Sequence, residues 1–76
     1  MDRDVAIRID GMALGAKANL DGIAWYLKNN TSADEYSRLV KFVGEAMGAL
    51  YELSKSLYDD FPDIVPRELQ PPKAPK

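Results

Sequence analysis

The chain has 76 residues, a formal net charge of −2, and neither cysteine nor histidine. A chain of this length forms one small domain. Without cysteine it has no disulfides, and without histidine it lacks the commonest general base and the commonest transition-metal ligand. We therefore expect no enzyme activity, no cofactor and no metal site. No apolar run reaches the roughly 18 uncharged residues of a membrane span, and the charged start of the chain is not a signal peptide, so we expect a soluble, cytoplasmic protein.

The first segment predicts a helix over about residues 4–29. Its apolar residues recur at spacings of three and four, which is the period of one helix face. This register consists of Ile9, Met12, Ala16, Leu20, Ile23 and Leu27. Asn29 and Asn30 then favour turn geometry and are expected to end the helix.

A capping box marks the start of a second helix, predicted over about residues 33–60. Ser32 precedes Glu35 by three residues, so the hydroxyl and the carboxylate can each accept a hydrogen bond from a free backbone N–H at the helix start. This helix has its own apolar register of Leu39, Val43, Ala46, Leu50, Leu53 and Leu57. Phe61 precedes a proline and therefore avoids helical geometry. The two helices predict an all-α antiparallel hairpin over residues 1–62, in which the two apolar registers face each other.

Residues 63–76 hold four of the five prolines and predict a proline-rich tail. Ile64, Val65 and Leu69 are expected to pack over the open end of the hairpin, near Leu57 and Phe61. The residues after position 70 favour extended polyproline geometry.

A two-helix hairpin leaves apolar surface uncovered, because each helix has only one partner. We therefore expect a dimer in the form of a four-helix bundle. The candidate interface is a row of small residues with large apolar neighbours on the first helix, and a glycine pair with aromatic neighbours on the second. Its residues are Ile7, Gly11, Leu14, Gly15, Ala18, Gly22, Trp25, Phe42, Gly44, Gly48 and Tyr51. Two alternatives stay open: glycines placed where the helices of one hairpin touch, and a ligand pocket between the helices lined by Trp25 and Phe42.

Two carboxylates and three serines are the candidates for metal binding or catalysis. Glu45 and Glu52 share one helix face, as two ligands of a carboxylate-bridged metal site would. Lysines lie within one turn of both, so a solvated charged face is the better interpretation. The sequence shows no base that would activate the serines Ser37, Ser54 and Ser56.

Residues 4–9 alternate apolar and polar side chains, so a strand is the alternative to a helix there. A strand, a helix, a capped turn and a second helix resemble the ribbon-helix-helix DNA-binding family. The resemblance implies an intermolecular strand that projects Ala6 and Arg8 toward the major groove. Asp4 and Asp10 lie beside that arginine and would repel phosphate, so nucleic acid is not the partner we expect.

The expected function is therefore non-catalytic and works through protein–protein contacts. A regulatory protein, an adaptor and an antitoxin-like partner remain equally open as roles. The competing class is the ribbon-helix-helix-like DNA-binding regulator, which requires the strand over residues 4–9.

Overall fold

A computed structural model describes residues 1–65, which form two long helices and one short turn of 3-10 helix. α1 spans Arg3–Asn30, α2 spans Ala33–Asp60, and the 3-10 helix spans Pro62–Ile64. α1 and α2 pack against each other along their lengths, and the 3-10 helix packs against α2. The predicted all-α hairpin is confirmed. Over the described range, neither helix is long and apolar enough to cross a membrane.

α1 begins one residue earlier than the sequence predicts, because Asp2 caps it. The Asp2 Oδ1 atom accepts a hydrogen bond of 2.9 Å from the backbone N–H of Val5. This bond satisfies one of the N–H groups that a helix start leaves without a partner. Residues 4–9 lie inside α1, so the strand alternative is wrong.

The connection between the helices consists of Thr31 and Ser32, both in extended conformation. Side chains satisfy the last carbonyl groups of α1: Asn29 donates to Trp25, Asn30 donates to Tyr26, and the Thr31 hydroxyl donates to Leu27. Carbonyls that would otherwise need water are thereby paired at the turn.

The predicted capping box at the start of α2 is confirmed. Ser32 Oγ accepts from the Glu35 N–H at 3.1 Å, and Glu35 Oε1 accepts from the Ser32 N–H at 3.0 Å. The Ser32 backbone N–H lowers the pKa of Glu35, and the Ser32 hydroxyl adds to this effect. Both bonds are local in sequence, which explains why the start of α2 could be read from the sequence alone.

At the open end of the hairpin, an exposed ion pair joins the two ends of the described chain. Arg3 Nε lies 2.6 Å from Asp63 Oδ2. Ile64 and Val65 are half-buried there. The expected packing of Leu69 and the extended tail fall on residues 66–76, outside the described residues, and the division into residues 1–62 and 63–76 stays a prediction.

Small and polar side chains, and few large apolar ones, fill the line where the helices meet. Among the described residues, the buried apolar ones are Ala6, Ala13 and Leu57, and none of the large side chains is fully buried. On α1 these positions continue with the buried Asp10 and Lys17 at spacings of four and three. On α1 the hairpin contact therefore follows a line that the apolar register did not predict, whereas on α2 the buried Leu57 belongs to the register.

Part of each apolar register is rotated out of the hairpin contact, which corrects the expectation that the two registers face each other along their whole length. In α1, Met12 and Ile23 are 62% and 50% exposed, and in α2 Leu53 is 42% exposed. The remaining large register residues are mostly half-buried. The physical reason is that small residues such as Ala6 and Ala13 let the helices approach closely, so the larger side chains lie beside the contact line.

Candidate functional site: the surfaces of the hairpin

Contacts across the hairpin show which sides of the two helices lie together. Lys17 contacts Ser54 and Tyr51, and Asp10 contacts Ser54 and Tyr58. Successive helical residues are rotated by about 100°, so these contacts also show on which side of the hairpin each of the remaining helical residues lies. We call the side on which Asp10 and Lys17 lie the polar side.

The opposite side of the hairpin is apolar. Two residue sets form it, one from each helix, with half-buried leucines and Ile9 between them. Its exposed members, which we call the apolar face, are Val5, Met12, Ile23, Phe42 and Leu53, with exposed fractions of 44%, 62%, 50%, 56% and 42%. Both apolar registers contribute to this face, so some residues of each amphipathic helix face outward while others pack in the hairpin contact.

Charged side chains stay at the borders of the apolar face. The Lys41 ammonium lies 5.1 Å from the centroid of the Phe42 ring, at the outer margin of α2. The charged residues of the middle of α1, Asp10, Lys17 and Asp21, fall on the polar side by helical position. The centre of the face is therefore a continuous apolar surface, which monomeric proteins seldom leave in water.

The predicted small-residue row forms the outer edge of α1, away from α2. Gly11, Gly15, Ala18 and Gly22 are all exposed. A Cβ atom built on each glycine of the chain, including Gly44 and Gly48, would meet no atom within 4 Å. The alternative that glycines lie where the two helices touch is therefore wrong.

The eleven candidate interface residues are all exposed, but the structure does not gather them into one surface. Ile7, Leu14 and Trp25 flank the small-residue row on the polar side of α1, and Trp25 is 66% exposed. Gly44, Gly48 and Tyr51 lie on the polar side of α2. Phe42 belongs to the apolar face. The sequence therefore identified exposed positions without showing that they belong to separate surfaces.

A buried polar cluster links α1 to α2 on the polar side. Ser54 Oγ donates to Asp10 Oδ1 at 2.9 Å, and the Tyr58 hydroxyl donates to Asp10 Oδ2 at 2.9 Å. Lys17 Nζ donates to Ser54 Oγ at 3.3 Å and lies 4.6 Å from the centroid of the Tyr51 ring. Asp10, Lys17 and Ser54 are only 4%, 8% and 2% exposed.

The cluster is electrically balanced, with one carboxylate and one ammonium held on either side of a hydroxyl. Buried charges are tolerated only when they are paired and hydrogen-bonded, and each of these groups has partners. Burial raises the pKa of Tyr58, and its hydrogen bond to the Asp10 carboxylate raises it further. The phenol therefore stays a hydrogen-bond donor to Asp10 across the neutral pH range.

The expectation that Ser54 has no base beside it is wrong, since its hydroxyl donates to the Asp10 carboxylate. The arrangement is nevertheless enclosed: Ser54 is 2% exposed, so a substrate atom does not reach its Oγ in this structure. The cluster holds the two helices in register and supplies no open site for attack on a substrate. One sequence signal points to it, because Ala6, Asp10, Ala13 and Lys17 repeat at spacings of four, three and four.

A shallow apolar hollow of about 510 Å³ lies on α1 beside the apolar face. Its lining residues are Asn19, Gly22, Ile23, Tyr26 and Leu27. Since all five belong to α1, the hollow is a surface notch on one helix. Neither Trp25 nor Phe42 lines it, so it is not the pocket between the helices that the sequence offered as an alternative.

The outer side of α2 carries the exposed Glu45 and Glu52 together with lysines. In residues 1–65, no group of three metal-ligating side chains is close enough to hold an ion.

Comparisons of the chain with protein-family models, with curated proteins and with solved structures found no match.

Proposed function

We propose that this protein is a non-catalytic helical hairpin that acts through protein–protein contacts and self-associates as a dimeric four-helix bundle. The observation that carries the proposal is the imbalance between buried and exposed apolar residues. Three apolar residues of the described chain are buried, whereas eleven large ones are exposed. The eleven are Met1, Val5, Ile7, Met12, Leu14, Ile23, Trp25, Tyr26, Phe42, Tyr51 and Leu53.

A hairpin is a single layer of helices, and stable domains bury their apolar surfaces between at least two layers. The hydrophobic effect therefore favours a second layer that covers part of this exposed apolar surface. A second hairpin supplies such a layer without any further component. The charged outer side of α2 would remain in water in this arrangement, which keeps the assembly dispersed.

The role that fits these features is a regulator, an adaptor or an antitoxin-like protein, in which binding of another protein is the activity. No observation favours the DNA-binding alternative, because residues 4–9 that would form its strand belong to α1.

Sedimentation equilibrium of the full chain tests the proposal directly. From micromolar to millimolar concentration, we expect the mass to rise from the 8.5 kDa of one chain toward twice that value. The helical circular dichroism spectrum, recorded on the same samples, verifies that the chain is folded. A folded chain that keeps the mass of a monomer at the highest concentration would contradict self-association.

A further inference from the structure

We propose that the second copy of the chain packs on the apolar face, and that the small-residue row of α1 stays outside the dimer interface. This inference rests on the proposed self-association and names the surface that produces it. It differs from the interface that the sequence suggested, with which it shares only Phe42.

The area of the apolar face matches what a stable dimer needs. Its five exposed residues keep about half of their surface in water. Four of the five are aliphatic and smaller than an aromatic residue, so at roughly 150 Å² each, the lower end of the range for aromatic side chains, the five together present about 400 Å². A standard interface buries about 800 Å² on each partner, of which roughly 60% is apolar. The apolar face alone therefore supplies most of the apolar area of one side of such an interface.

The position of the apolar face also suits a second layer. Both helices contribute to it, so two hairpins placed face to face bring four helices around one shared core. The small-residue row lies on the outer edge of α1 alone. A contact there would join two edges and leave Met12, Ile23 and Leu53 in water.

Residues 66–76 do not provide a substitute for the second copy. Residues 66–76 contain Leu69 as their only large apolar side chain. One apolar side chain is too small to cover the five exposed residues of the apolar face. A second copy brings five, with matching chemistry.

The single tryptophan distinguishes the two surfaces in the unmodified protein. Trp25 is 66% exposed and lies on the side of α1 opposite Ile23, next to the small-residue row. During dilution across the dimer–monomer transition, we expect its emission maximum to stay constant, because dimerisation through the apolar face leaves the indole in water. A shift of the emission to shorter wavelength on association would place Trp25 in the interface and overturn the proposal.

A matched pair of leucine variants tests the same point by affinity. Leu53 on the apolar face and Leu14 on the polar side are 42% and 40% exposed, so their environments in the single hairpin are alike. We expect Leu53→Asp to weaken the dimer at least about a hundredfold, because each copy would bury a carboxylate. Leu14→Asp and Gly15→Leu should change the dissociation constant by less than about threefold; Gly15 has open space for a side chain.

The outcomes separate the two proposals. A monomeric wild-type chain would refute self-association itself. A wild-type dimer that Gly15→Leu or Leu14→Asp dissociates while Leu53→Asp does not would preserve self-association and overturn the apolar face as its surface.

Should Leu53→Asp lose helix, Met12→Cys replaces it, since the chain has no other cysteine. Its thiol should react more slowly with a maleimide as the chain associates, and an unchanged rate would overturn the proposal.

Discussion

Replacing Ser54 by alanine should destabilise the fold far more than an exposed serine substitution, because it breaks the buried polar cluster. The hydroxyl donates to Asp10 and accepts from Lys17, and it is 2% exposed. Without it, among residues 1–65 the Asp10 carboxylate keeps only Tyr58 and the Lys17 ammonium keeps only the ring of Tyr51. Two charged groups then remain largely buried with fewer partners, which is the costly arrangement for a polar network.

The expected magnitude follows from the two hydrogen bonds. Bonds to charged groups contribute about 1.5–3 kcal/mol each, and the Lys17–Ser54 bond at 3.3 Å belongs at the weak end. Water that enters the site recovers part of the loss. We therefore expect the free energy of unfolding to fall by about 2–4 kcal/mol.

Ser56→Ala is the matched control, two residues further along α2. Ser56 is exposed, and its hydroxyl donates only to the Glu52 carbonyl of the same helix. Both substitutions gain the same small increment in helix propensity, so the difference between them isolates the cluster.

Urea unfolding followed by circular dichroism, at one fixed protein concentration, measures this difference. With a slope of about 1 kcal/mol/M for a small chain, the midpoint of Ser54→Ala should lie about 2 M or more below that of Ser56→Ala. Midpoints that agree within about 0.5 M would refute the reasoning, since the cluster would then contribute nothing to stability.

Three further predictions concern the cap, the alkaline range and nucleic acid. Ser32→Ala should lower the free energy of unfolding by about 1 kcal/mol in urea titrations, with Glu35→Ala costing less. Because the pKa of Glu35 is lowered in the folded state, the stabilisation by its carboxylate is complete above the ordinary value of 4.5 and is lost as pH falls through the lower folded value. Glu35→Gln should therefore reduce the loss of stability at acid pH. An unchanged acid loss would argue against the capping box. The raised pKa of Tyr58 means that its contribution is complete below its ordinary value of 10.0 and is lost as pH rises through the folded value, so Tyr58→Phe should reduce the alkaline loss of stability seen in melting curves. Duplex DNA should not bind at physiological salt in a fluorescence anisotropy titration, because lysines and arginines are scattered among acids; salt-sensitive binding would contradict this.

The sequence predicted the helices and the start of α2 because their signals are local. The Ser32–Glu35 box needs only residues three apart, and the apolar period needs only one helix at a time. The same locality explains the failures. A register shows that a helix has an apolar side, but it does not show whether that side faces the partner helix or the outside of the hairpin.

The pairing within the buried cluster could not be predicted, because its partners are separated by 37, 44 and 48 residues. Asp10 and Lys17 are residue types that almost always lie at the surface, so their sequence positions indicate solvent. The sequence does not reveal the apolar face for a related reason. The helical period places Met12, Ile23 and Leu53 in the hairpin contact, whereas that contact uses Ala6, Ala13 and Ser54.

The antiparallel order of the hairpin determines how the chain responds to mechanical tension. Arg3 and Asp63 form an ion pair at the open end, and the Thr31–Ser32 connection lies at the far end, about 40 Å away along helices of 28 residues. A pulling force applied at Arg3 and Asp63 acts across the two helices at the open end. It therefore loads the ion pair first, then the contacts of Asp10 with Tyr58 and Ser54, and finally the residues beside the turn. Because the contacts break one after another instead of together, the hairpin should peel open at low force.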